Sequence, residues 1–268
     1  MDKKNKNIYL TGEKLYGDDF TEEEILQWYE QEKEGYADIY GETWENREYE
    51  YRNITNKYAY KYLKDIKRFD NVLGFGASWG YELYDIIDKV NNLVIIDPSL
   101  KTRSSKIGDV IPQYVIPSHT GIIPFEDNKF DLITCFGTLH HIPNVTFLMK
   151  ELHRVLKPGG IICIREPIKS MGDWNYRRKG ATACERGIPI NIFDKIIANL
   201  GYSIINRSCC YTCRGFFQRT FGYKFSISKS YHQLDKYLST MLERNIYYHP
   251  TSFWEKLCPS IVFYVLKK

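Results

Sequence analysis

Ser78 lies in Gly76-Ala77-Ser78-Trp79-Gly80, a G-x-S-x-G run that could present a nucleophilic hydroxyl on a sharp strand-to-helix turn. The same stretch, VLGFGASWG at 72–80, also has the form of a glycine-rich turn that seats a nucleotide-type cofactor. The two chemistries make different demands on the rest of the chain. A serine hydrolase needs an acid and then a histidine downstream, with oxyanion-hole donors upstream. No HGGG-type stretch precedes Ser78, and the last histidine, His249, stands before a proline in a polar segment. A hydrolase elbow also normally lies several strands into its fold, whereas this turn follows the first. A cofactor loop needs an acid at the end of the next strand, about 20 residues on, to accept hydrogen bonds from a ribose diol. Asp97, which closes LVIID, stands there. Gly74-Phe75-Gly76 is not followed by a third glycine at the dinucleotide spacing, and Gly80 comes one residue late. The turn therefore favours a nucleoside cofactor other than a dinucleotide.

Further reactive groups cluster at the ends of later apolar runs. His140 and His141 follow FDLITCF, and imidazole is the side chain that titrates near neutral pH. Glu166 ends GIICIRE. The loop 169–187 carries Arg177, Arg178, Lys179 and Arg186, and a guanidinium fork suits an oxyanion. Seven cysteines are scattered along the chain, with one C-x-x-C in CCYTC at 209–213. A structural zinc site takes four ligands, and no second pair is in view, so no metal is expected. Free thiols, a charged N-terminal stretch MDKKNKNIYL and the lack of an apolar run of about 18 residues point to a cytoplasmic chain without a membrane span. A net charge of +4 over 268 residues is too mild to suggest nucleic acid as partner.

The elements that must position these groups alternate between strand and helix. Residues 1–69 are polar and tyrosine-rich, with a helix starting at Thr21 and a second over 46–66, and are expected to form a helical lid. Strands are expected over 71–75, 93–97, 113–118, 130–136, 160–166, 202–208 and 260–268. Helices are expected over 81–90, from Val145 to the Pro158-Gly159-Gly160 stop, and over 191–201. Strands that are apolar throughout belong in a sheet covered on both faces. The fold class is therefore α/β: a Rossmann-like, seven-stranded, mostly parallel sheet with helices on both faces and an antiparallel last strand. Residues 70–268 form this domain, and 209–259 is an insert before the last strand, serving as pocket wall or homodimer interface.

Four pieces in order resemble the class I S-adenosylmethionine-dependent methyltransferases of the small-molecule type. They are VLGFGASWG, LVIIDPS, IPFEDNKFDLITCFGTLHHIPN and MKELHRVLKPGGIICIREP, of which the last two are long and specific. Two positions depart from that family's first motif: Gly74 replaces an acid and Ser78 replaces a glycine. The resemblance implies S-adenosylmethionine as cofactor, S-adenosylhomocysteine as product and a small-molecule oxygen or nitrogen acceptor. It implies cofactor contacts from Gly74, Gly76, Ser78, Gly80, Asp97, Pro98, His119, Thr120, Phe136 and Gly137, with Tyr40 closing from the N-terminal helices. His140, His141 and Glu166 are the candidates for a base. Tyr36, Arg177 and Arg178 are the candidates for the acceptor pocket, the arginines suggesting an anionic sugar, glycan precursor or other metabolite. The competing readings are a cofactor-binding module without turnover and a hydrolase using Ser78.

Overall fold

The computed structural model describes residues 8–35, 49–172, 174, 178 and 181–268. Helix α1 spans Glu22–Glu32 and opens with a capping box, in which Thr21 and Glu24 satisfy each other's backbone N–H. Helix α2 spans Arg52–Tyr58. The strands are β1 (Phe69–Phe75), β2 (Val90–Ile96), β3 (Gln113–Val115), β4 (Phe130–Phe136), β5 (Leu156–Pro167), β6 (Ser203–Cys210) and β7 (Ile261–Lys267). Helices α3 (Val145–Val155) and α4 (Ile190–Asn199) precede β5 and β6. Between β6 and β7 stand α5 (Arg214–Phe221), α6 (Tyr223–Ser226), α7 (Lys229–Leu242) and α8 (Phe253–Lys256).

One sheet takes the order β3-β2-β1-β4-β5-β7-β6. Strands β1 to β5 are parallel, and β7 is antiparallel to both β5 and β6. The chain must return between β5 and β6 to close the sheet, and the long excursion over 211–260 makes that return. Successive strand residues face opposite sides, and both sides are dry. Val72 and Leu132 pack into one core with Ile54, Tyr58 and Phe263. Leu73 and Ile133 pack into the other with Leu148, Leu152 and Phe193. Helix α3 presents Val145, Leu148, Met149, Leu152 and Val155 to that core, the stripe of an amphipathic helix.

The helix expected over 81–90 does not form. Tyr81–Leu83 and Ile87–Lys89 are separate 3-10 turns, and the backbone bonds from Leu83, Tyr84, Ile86 and Lys89 all run three residues back. The glycine turn therefore meets no α-helix dipole. No helix of the described residues is long and apolar enough to cross a membrane.

Candidate active site at the carboxyl edge of the sheet

A cavity of about 880 Å³ opens over the carboxyl ends of β1, β2, β4 and β5. Parallel strands all aim their carboxyl ends at this edge, so the loops after them meet here. Gly76 leaves β1 with φ +69°, and a Cβ on it would stand 2.2 Å from Thr138. Only glycine lets the loop after β1 touch the loop after β4 in this way, and Thr138 Oγ1 donates to the Phe75 carbonyl across the contact at 3.2 Å. Asp97 stands one residue past β2. Its Oδ2 accepts from the Ser78 N–H and its Oδ1 from the Ser99 N–H, both at 3.0 Å. Ser78 itself has φ +51°, and its hydroxyl is buried without a hydrogen-bond partner. A nucleophile needs a base within reach, and this hydroxyl has none among the described residues. Ser78 lines the cavity beside a strand-end carboxylate, and a rotation of its orphaned hydroxyl would offer it to a polar ligand such as S-adenosylmethionine.

Beneath the histidines lies a tightly satisfied turn. Glu166 is fully buried at the end of β5. Its carboxylate accepts from the N–H groups of Thr138 (2.9 Å), Leu139 (2.8 Å) and His140 (3.3 Å), and from His140 Nδ1 (2.8 Å). A carboxylate only accepts, so Nδ1 carries the hydrogen and Nε2 the free lone pair. Burial and the adjacent His141 ring hold His140 below the usual imidazole range, against the pull of Glu166. His141 Nδ1 stands 2.8 Å from Glu32 Oε2, at the end of α1, and its Nε2 stands 3.7 Å from Glu185 Oε2. Burial would lower His141, but the hydrogen bond to Glu32 and the charges of Glu32, Glu185 and Glu166 outweigh it and raise it. Thr182 Oγ1 lies 2.5 Å from Glu32 and 3.0 Å from Glu185, tying the two carboxylates together. Trp28 Nε1 donates to the His141 carbonyl at 2.7 Å.

The structure gathers most, not all, of the expected residues. Gly76, Ser78, Asp97, Pro98, His119, Phe136, Gly137, His140, His141, Glu166 and Arg178 line the cavity. Gly74, Gly80 and Thr120 do not. Gly74 is inside β1, where a Cβ would come 2.8 Å from Ala77. Gly80 backs onto Ile107, and the Thr120 carbonyl accepts from Asn144. Tyr36, Tyr40 and Arg177 lie outside the described residues. Two arginines of the 169–187 loop are engaged at home. Arg178 donates to the carbonyls of Met171, Thr182, Ala183 and Glu185. Arg186, fully buried, donates to those of Tyr16, Leu139, His140, Ile142 and Pro143. Both guanidiniums are thus held by backbone carbonyls, Arg186 in a dry interior and Arg178 partly exposed in the cavity wall. Tyr211, Arg214 and Tyr223 of the insert stand in the cavity wall.

Glu32, Glu82 and Glu185 escape the sequence reading. Glu82 lines the cavity, accepts from Thr134 Oγ1 at 3.0 Å, and is pushed up to about 7 by burial, partly offset by Arg165. For Glu32 the one signal is its spacing from Trp28, one helical turn back on the same face.

Residues 73–164 match the methyltransferase domain family. Over these residues the chain is similar to S-adenosylmethionine-dependent methyltransferases. It is 33% identical over 92 residues to the demethylmenaquinone methyltransferase of Staphylococcus saprophyticus, covering 33% of this chain and 40% of that one. It is 46% identical over 92 residues to that of Staphylococcus epidermidis, covering 33% of this chain and 38% of that one. The match thus spans about two fifths of these relatives' length. The chain also shares its fold with N-methyltransferase NodS from Bradyrhizobium japonicum in complex with S-adenosylhomocysteine, at a TM-score of 0.52 and 12% identity over 90% of this chain and 98% of that one. The [4+2]-cyclase SpnF superposes at 0.56 with 14% identity, over 93% and 97%.

Proposed function

We propose that this protein transfers the methyl group of S-adenosylmethionine to an oxygen or nitrogen of a small molecule. The observation that carries the reading is the Asp97 carboxylate at the end of β2, bonded to the Ser78 N–H, with both residues lining one cavity beside the Gly76 turn. Asp97 would take the ribose hydroxyls, and Ser78 Oγ would donate to the cofactor's carboxylate. Glu82, which lines the same cavity, would supply the acid that Gly74 lacks and hold the amino end. His119, Pro98, Phe136 and Gly137 complete the cofactor wall. The bound cofactor supplies an activated methyl group on a sulfonium. The chain's own task is to align the acceptor and exclude water. His140 and His141 stand on the acceptor side, with Glu166 as a positioning residue that fixes the His140 ring.

Within the 169–187 loop, Arg177 carries the case for an anionic acceptor, with Lys169 in the cavity wall, since Arg178 and Arg186 already donate to carbonyls. An unchanged acceptor KM in Arg177→Ala would remove that refinement.

Calorimetric titration with S-adenosylmethionine, S-adenosylhomocysteine and NADH, repeated on Asp97→Ala, tests the reading. Micromolar binding of the first two, lost in the variant, is expected. Binding of NADH alone would overturn it.

A further inference from the structure

Both histidines of the active-site turn are braced in the same manner. His140 Nδ1 is held by Glu166 and His141 Nδ1 by Glu32, each at 2.8 Å. Carboxylates behind the Nδ1 atoms fix the tautomer and leave the Nε2 atoms as the donors available to a cation, which is how proteins orient imidazoles that bind metal. A third donor completes the set. His140, His141 and Glu185 each bring one donor atom to within 4.8 Å of the other two, and His141 Nε2 to Glu185 Oε2 is 3.7 Å. Bonds of about 2.0–2.1 Å to a tetrahedral ion set its donors roughly 3.3 Å apart. Small side-chain rotations would close the set to that spacing.

The three donors come from elements that are themselves fixed. The histidines sit on the turn held by Glu166 and Arg186, and Glu185 is tied through Thr182 to Glu32. Three carboxylates, Glu32, Glu166 and Glu185, surround the two rings. These carboxylates, offset in part by the buried Arg186, favour a cation. All three residues line the cavity, so an ion held by them would lie at its wall.

We propose that His140, His141 and Glu185 hold a divalent cation of the zinc class, with an open position toward an oxygen of the methyl acceptor. Two imidazoles and one carboxylate suit Zn²⁺, Co²⁺, Ni²⁺ or Fe²⁺ and are poor for Mg²⁺ or Ca²⁺, which prefer all-oxygen sets. An alcohol or phenol bound there becomes more acidic. The link to the acceptor rests on the methyltransferase reading; the ion site does not.

The full chain, stripped with chelator, is titrated with Zn²⁺ and with Co²⁺, and S-adenosylhomocysteine affinity is measured in parallel. One ion per chain is expected, with a cobalt spectrum of nitrogen and oxygen ligation. Glu185→Gln and His140→Ala are each expected to weaken the ion by at least about tenfold, with S-adenosylhomocysteine affinity unchanged in Glu185→Gln. Failure to bind an ion, or wild-type ion affinity in either variant, overturns the proposal: the Glu185–His141 contact would then be bridged by a proton only. A cobalt–thiolate band that Cys184→Ser abolishes also overturns it. An ion bound with no S-adenosylhomocysteine binding leaves the ion site standing and removes the cofactor reading.

Discussion

Burial pushes the Asp97 carboxyl up to about 6, against the Ser99 and Ser78 N–H groups, which favour its ionised form. Ribose hydroxyls donate to the ionised form, so cofactor binding at lower pH must release a proton. Affinity for S-adenosylhomocysteine is therefore expected to rise by roughly tenfold from pH 5 to 7 and then level off. The sign for the free protein is opposite. Between 3.8 and about 6 the folded chain keeps a proton that the unfolded chain loses, so the Asp97 contribution to stability falls as pH rises through that window. Calorimetry at several pH values checks the binding arm, with Asp97→Asn expected to be weak and flat; a flat wild type would take Asp97 out of the site. Glu82→Gln should weaken S-adenosylhomocysteine by about ten- to a hundredfold through loss of a charge-assisted bond. Methylthioadenosine, which lacks the amino acid, should bind both forms alike, and an equal loss for the two ligands would argue against Glu82 at the amino end. Asp97 and Ser78 are legible in sequence because a glycine turn and a strand-end acid keep a fixed spacing. Glu32, Glu82 and Glu185 are not, because a carboxylate in a charged stretch normally faces water, and only the fold brings these three to one cavity.

The turn over 137–143 depends on two buried groups from other elements. Glu166 gathers its N–H groups, and Arg186 gathers its carbonyls. Arg186→Met keeps the volume and leaves the carbonyls dry. Breaking a buried network of this kind costs about 3–5 kcal/mol, which thermal unfolding should show as a large drop in Tm. Arg178→Met, nearer the surface, should cost far less; equal losses would mean that the burial of Arg186 is not what matters. The strands behind this turn are legible because residues apolar on both faces have one place to go. The stretch 81–90 misleads because its apolar spacing fits a helix, while Gly80 in a left-handed conformation packs against Ile107 and starts a tighter i→i+3 turn instead. Apolar periodicity over ten residues does not separate the two.

On the scale of the molecule, three distant parts of the chain enclose one cavity: α1 through Trp28 and Glu32, the sheet edge, and the insert through Tyr211, Arg214 and Tyr223. The insert is seated by Asp235 of α7, whose buried carboxylate accepts from the N–H groups of Tyr211 and Thr212. The sheet's strand content is legible in sequence, yet neither attachment is, since both depend on single polar groups meeting loop backbone. The same fold serves a cyclase and an N-methyltransferase, so the parts that close the cavity, more than the sheet, must select the chemistry. Helix α1 is the part whose attachment can be loosened with least damage. Trp28→Phe keeps an aromatic ring among Tyr16, Phe20 and the Arg186 guanidinium but removes the N–H that the His141 carbonyl accepts. A buried hydrogen bond is worth about 1 kcal/mol net, and the orphaned carbonyl adds to the loss. Hydrogen exchange over 22–32 should therefore quicken about fivefold or more, while exchange in β1 and β4, which opens only with the whole sheet, changes less. Bound S-adenosylhomocysteine should slow exchange in α1 and in the 76–78 turn together if the helix closes over the cofactor. Protection confined to the turn would show that α1 walls the acceptor side alone.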